Sequence, residues 1–311
     1  MKKKELIRQI SPLFSLVVTV TLVFSGLSCN NDTSPADAEV VEVMVTLQPL
    51  AGFVEQVGGD RIIVNTMVPP GTSPHAYAPT PSQLTKVSDA DMYVEVGSGI
   101  SFEINHLDTI KEANEEILII DSSEGIELIE MAEHHHEDDD GDHERDHDHG
   151  TKDPHIWLSP MNAKTIVSNI CNGLVEVDPD NEGFYKQNRD DYLQQLDKLD
   201  ADISSGLSAI TNRHFIVFHP AWGYFAHEYD LEQIPIEVEG KDPSARDLAH
   251  VIEEAQEHDI KIIFVSPQFN ARSAEVIAAD IDGSVVTIDP LAKDYIDNLH
   301  NVLEEMVQAM E

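Results

Sequence analysis

Fifteen histidines give this chain most of its chemical capacity, and three of them stand apart. His75 follows Pro74, His155 follows Pro154, and His219 precedes Pro220. A neutral imidazole nitrogen is a good ligand for zinc or a near neighbour. Three such groups so far apart in sequence can share an ion only if the fold gathers them. Six more, His134, His135, His136, His143, His147 and His149, lie in a tract packed with acids. They are suited to weak, exchangeable sites that raise local metal concentration. Imidazole ligates only when deprotonated, so binding is expected to weaken as pH falls through the histidine range.

The elements that must position these groups follow from periodicity. Strands are expected at 40–47, 61–68, 92–96 and 117–120, with helices at 50–57, 81–90 and 102–111 between them. The second half repeats the rhythm, with strands at 215–218, 234–238, 261–265 and 284–288. Helices are expected there at 222–229, from Asp242-Pro243 to about 258, at 271–281 and at 295–310. Such alternation predicts α/β architecture with parallel sheets. Ser159-Pro160 and Asp178-Pro179 both read as helix starts. From 178 to 210, Phe184, Tyr192, Leu193, Leu196, Leu199, Ile203, Leu207 and Ile210 keep helical spacing. A helix this long is predicted to connect two lobes. Ligands of parallel sheets gather outside the carboxyl ends of strands. His75, His219 and Asp289 all fall there, as if around one cleft.

The 311 residues allow one large or two ordinary domains, and 41% hydrophobic content allows a full core. The formal net charge of −39 argues against nucleic acid as a partner, since phosphate would be repelled. The tract at 133–150 carries nine acids and one arginine, so −8 of that total, and the rest is spread along the chain. With almost no apolar residue, the tract is expected to be a solvated loop. Lys2, Lys3, Lys4 and Arg8, followed by an apolar run at 13–24, read as a signal peptide at 1–28. Gly26-Leu27-Ser28-Cys29 resembles a lipoprotein processing site, with Cys29 as the candidate for lipidation; an uncleaved anchor or ordinary cleavage is the alternative. Residues 29–39 read as a tether. The lobes are then placed at 40–177 and 211–311, with the connector at 178–210. Cys171, among Ile166, Val167, Ile170 and Leu174, reads as a core residue. His106, His214, His227, His250, His258 and His300 read as ordinary surface or core histidines. Trp157, Trp222, Tyr224 and Phe225 read as packing around the site.

Four motifs in order carry a family resemblance. Pro69-Pro70-Gly71-Thr72-Ser73-Pro74-His75-Ala76-Tyr77 and Asp153-Pro154-His155-Ile156-Trp157-Leu158-Ser159-Pro160 resemble the first two metal motifs of the zinc/manganese substrate-binding proteins of ABC importers. Phe218-His219-Pro220-Ala221-Trp222-Gly223 resembles the third, and Ile288-Asp289-Pro290-Leu291 the C-terminal one. The histidine tract sits where zinc-type members carry theirs. The resemblance implies two α/β lobes joined by one long helix, with metal held in the inter-lobe cleft. It implies His75, His155 and His219 as ligands, with Asp289 or water completing a tetrahedron. His219 stands where manganese-type members carry a glutamate, so Zn²⁺ is expected over Mn²⁺. The implied role is capture of Zn²⁺ outside the cytoplasm and delivery to an ABC permease, by a monomer anchored to the outer face of the membrane or periplasmic. Some zinc-type members have a disulfide in the second lobe, where this chain has no cysteine. A zinc hydrolase using the same three histidines, a manganese-type binding protein, a surface adhesin and a passive metal buffer are the competing readings. No His-Glu-x-x-His helix supports the hydrolase.

Overall fold

The computed structural model describes residues 40–131, 152–237 and 243–310. The expected signal peptide, the tether with Cys29, the histidine tract from His134 to His149, and Asp242 lie outside the described residues. In the first lobe, β1 (Val41–Val45), β2 (Ile62–Thr66), β3 (Met92–Glu95) and β4 (Leu118–Asp121) form a parallel sheet in the order β2-β1-β3-β4. In the second, β5 (His214–Val217), β6 (Glu232–Pro235), β7 (Ile262–Val265) and β8 (Ser284–Thr287) repeat that order as β6-β5-β7-β8, again all parallel. The expected pair of parallel α/β lobes is therefore what the chain forms.

The first lobe carries helices α1 (Gln48–Gly58), α2 (Pro81–Ser88), α3 (Ser101–Ala113) and α4 (Pro160–Val177). Prolines fill the first positions of α2 and α4, where a missing N–H is harmless, and Thr80 and Ser159 cap them. The connector is α5 (Glu182–Leu207), 26 residues and about 39 Å long. It starts later than Asp178-Pro179 suggests, because Pro179–Asn181 forms a separate 3-10 turn. Asp178 serves that turn, accepting from Asn181 Nδ2 at 2.7 Å and from the Tyr185 hydroxyl at 2.6 Å. The buried face of α5 is Tyr185, Tyr192, Leu196, Leu199, Ile203 and Leu207. Tyr185 takes the place expected for Phe184, which lies half-buried with the Arg61 guanidinium 5.5 Å from its ring centroid.

The second lobe adds α6 (Gly223–Glu228), α7 (Ala245–Glu257), α8 (Arg272–Asp280) and α9 (Tyr295–Met310). Ser244 caps α7, two residues after the expected Asp242-Pro243 start. Its hydroxyl accepts from Asp247 N while its own N–H donates to Asp247.

The lobes share a core. Strands of the second sheet alternate their side chains between two faces. Phe215, Val217 and Phe264 join the cluster that holds Val43, Val45, Leu199 and Val302, whereas Ile216, Phe218, Ile263 and Val265 build a separate cluster on the other face. Polar links add to this. Trp157 Nε1 donates to Pro290 O at 2.7 Å, and the Ser159 hydroxyl donates to Glu228 of α6. The Tyr224 hydroxyl donates to Asp153 O at 3.1 Å and accepts from Ile129 N at 3.2 Å. Glu130 and Lys152, described residues on either side of the tract, are paired by an isolated antiparallel bridge and an ion pair. Among the described residues, no helix is long and apolar enough to cross a membrane.

Candidate metal centre

Each of the three histidines hangs from a different backbone device. His75 lies in the loop that follows β2, a stretch with Pro69, Pro70, Pro74 and Pro79 and few backbone donors. Both ends of this loop are tied to Gln83, the third residue of α2. Its Oε1 accepts from Tyr77 OH at 2.8 Å and Thr80 N at 2.9 Å, and its Nε2 donates to Met67 O. His155 precedes the 3-10 turn Ile156–Leu158, whose three residues are buried along with it. His219 follows β5, in a segment where Phe218 N donates to Phe264 O at 2.8 Å.

Together these devices bring His75, His155 and His219 to one point, with ligand atoms all within 4.8 Å of one another. His219 Nε2 lies 3.3 Å from His75 Nε2 and 3.2 Å from His155 Nε2. Ligands about 2.0–2.1 Å from a tetrahedral zinc stand about 3.3 Å apart, so two edges already have the right length.

The far side of every ring is held by oxygen. His155 Nδ1 donates to Asp153 Oδ1 at 2.7 Å, and the same oxygen accepts the His155 backbone N–H at 2.9 Å. His219 Nδ1 donates to Glu237 Oε2 at 2.5 Å. His75 Nδ1 is 3.0 Å from the Ser101 hydroxyl at the start of α3. With protons on the Nδ1 atoms, unprotonated Nε2 lone pairs face one another, an arrangement that repels itself and attracts a cation.

His155 and His219 are 3% and 6% exposed, while His75 is half-buried. Phe269 stacks on His219 with ring centroids 4.7 Å apart, and Trp157 stands edge-on to His155 at 5.4 Å. The space the rings enclose is about 10 Å³, enough for a single atom-sized occupant. Pro74, Gln268, Phe269, Pro290 and Leu291 complete its walls.

Asp289, expected as the fourth ligand with water as the alternative, is hydrogen-bonded within the protein. It lies outside the group formed by the three histidines. Its Oδ1 accepts from Gln268 Nε2 at 2.7 Å and from Leu291 N at 2.9 Å. Asp153 and Glu237 are the residues that sequence reasoning passed over. Asp153, two before His155 in the quoted motif, offered a signal. Glu237 offered only an acid at a strand end. Trp222 and Phe225 are buried core, and Tyr224 joins the stems of the tract to Asp153. Elsewhere, His214 and His258 stack with centroids 3.7 Å apart, away from this centre.

Burial and the other two imidazoles push His75 down from 6.5 to about 3, and burial lowers His219 against the pull of Glu237. The unfolded chain takes up these protons near pH 6.5, and the folded chain resists them. The unfolded state therefore binds more protons below pH 6.5, so stability is fully present above that value and is lost as pH falls toward 3. The denaturation midpoint of the metal-free protein is expected to drop between pH 7 and 5, above the range where most carboxylates titrate. The drop should shrink in His75→Gln. An unchanged slope in that variant would count against the assignment.

Two parallel α/β lobes around a three-imidazole centre define a two-lobed metal-binding architecture, and comparison with known proteins agrees. Residues 43–309 match the family described as ZnuA, zinc-uptake complex component A, periplasmic, and the chain belongs to that family. The chain is 30% identical to the high-affinity zinc uptake system protein ZnuA of Bacillus subtilis (strain 168), over 97% of this chain and 95% of that one. It superposes on a crystal structure of ZnuA with a TM-score of 0.80 and 40% identity, covering 88% of this chain and 100% of that one. It also superposes on a zinc-bound deletion mutant of ZnuA, with a TM-score of 0.79 and 38% identity, over 88% of this chain and 98% of that one.

Proposed function

We propose that this protein captures Zn²⁺ outside the cytoplasm and delivers it to the membrane permease of an ABC importer. The observation that carries the reading is the convergence of three imidazoles, two of their Nε2–Nε2 separations at zinc-like spacing and each ring fixed through Nδ1. His75, His155 and His219 bind the ion as neutral imidazoles, and water takes the fourth position. Three nitrogens favour zinc over manganese. The acids beside the rings, Asp153 and Glu237, are engaged in orienting them, which supports capture rather than hydrolysis. Release belongs to the permease, acting on the His75 loop, because the shared core resists separation of the lobes. Anchoring through Cys29, a monomeric state and the weak sites of His134, His135, His136, His143, His147 and His149 belong to the same reading.

The test is calorimetry of residues 40–311 against zinc and manganese, with and without 133–150. One tight zinc site should survive the deletion, while total zinc capacity falls. The Glu130–Lys152 pairing supports this, because it brings the chain on either side of the deletion together without the tract. A zinc-bound deletion mutant is known for the related ZnuA. Loss of all tight binding with the tract, or a preference for manganese, would sink the proposal. Loss of zinc uptake on deleting the gene separates delivery from passive buffering.

A further inference from the structure

The loop after β7 carries Gln268 between two others, because β7 lies between β5, which leads to His219, and β8, which leads to Asp289. Gln268 lines the small space where the three Nε2 atoms meet. Its amide is oriented by Asp289, whose Oδ1 accepts from Nε2 at 2.7 Å. Asp289 is itself pinned. The same Oδ1 accepts from Leu291 N at 2.9 Å, and its carbonyl accepts from Asn298 Nδ2 at 2.8 Å. The next carbonyl, Pro290 O, takes the Trp157 indole N–H at 2.7 Å. With its N–H end committed, Gln268 is left with a buried Oε1 that has no partner within the protein. A buried amide oxygen without a donor is costly unless something bound supplies one. Three histidines leave one position open on a tetrahedral ion, and a water held there has O–H groups to donate.

We propose that Gln268, oriented by Asp289, accepts a hydrogen bond from the water that completes the coordination of the bound ion. Asp289 is then a positioning residue, one amide removed from the metal. A neutral oxygen acceptor takes the place where a carboxylate ligand would favour manganese. The inference deepens the reading of the three histidines as zinc ligands and rests on it.

Gln268→Leu keeps the bulk and removes the amide, and Asp289→Asn removes the charge that orients it. Each is expected to lower zinc affinity about tenfold, in the range of groups one bond removed from a metal. Cobalt(II) bound in place of zinc reports the same change in its visible absorption bands, which a loss of folding stability alone would not move. The double variant should be no weaker than the weaker single, since both act on one hydrogen bond. Wild-type affinity and spectrum in Gln268→Leu would overturn the proposal. So would additive losses in the double variant, because Asp289 would then act on the ion by another route. His219→Ala measured alongside separates the two levels: if it binds zinc as tightly as wild type, the three-histidine reading itself fails, whatever Gln268 does.

Discussion

His219→Ala is expected to lower zinc affinity by about 10²- to 10³-fold. A four-ligand zinc site in a peptide is worth about 10–16 kcal/mol, so one ligand in four carries about 2.5–4 kcal/mol. His219 is the sharpest choice because its Nε2 stands at both short edges of the triangle, 3.3 Å from His75 and 3.2 Å from His155. The substitution also strands Glu237, a carboxylate only 8% exposed that now receives the His219 N–H. Leaving such a charge without its partner costs about 3–5 kcal/mol. A lower melting temperature is therefore expected too, and it must be separated from lost ligation. The variant carrying both His219→Ala and Glu237→Ala should regain stability without regaining zinc. Calorimetric titration with thermal denaturation of all three proteins decides the matter. Zinc affinity that recovers together with stability would mean His219 acts through packing.

Glu237→Gln should weaken zinc binding by about 10- to 100-fold with little change in fold. The glutamine preserves the shape and can still accept from Nδ1, but it withdraws the negative charge that makes His219 a stronger donor to a cation. The metal-free imidazole, already lowered by burial, loses an opposing pull and should resist protonation further. Affinity at pH 7 therefore falls while competition from protons in acid is reduced. Titrations at several pH values would read both effects, and a uniform loss at every pH would argue for simple misplacement of the ring. Asp153→Asn is the matched control, because Asp153 Oδ1 serves His155 through both ring and backbone.

Much of this was open to reading in the chain. Proline next to histidine in three motifs, two of them after predicted strands, and a serine–proline helix start mark His75, His155, His219 and α4 in the sequence itself. The apolar spacing from Tyr192 to Leu207 gave the connector, because a helix with one buried face must repeat every three to four residues. What escaped depends on neighbours distant in sequence. Glu237 meets His219 only because β6 pairs with β5, and nothing local separates it from the other acids of a chain with 58 of them. Asp289 looked like a ligand because it ends a strand on the correct side. Its partner Gln268 comes from the loop after the adjacent strand β7, and no local pattern in the sequence announces that hydrogen bond. Ser244 replaces Asp242-Pro243 as the start of α7 for a local reason: Asp247 completes a reciprocal cap with it.

The apolar cluster that runs from β1 through α5 to Phe215 and Phe264 makes the two lobes one cooperative body. Opening the interface between the sheets would expose that shared cluster, so separation of the lobes is costly, while the separate cluster on the far face of the second sheet is not part of that cost. An ion held at one end of such a body adds its binding free energy to the persistence of the whole, in proportion to the logarithm of its concentration. Scarcity of metal would then shorten the lifetime of the empty carrier as well as leave it idle.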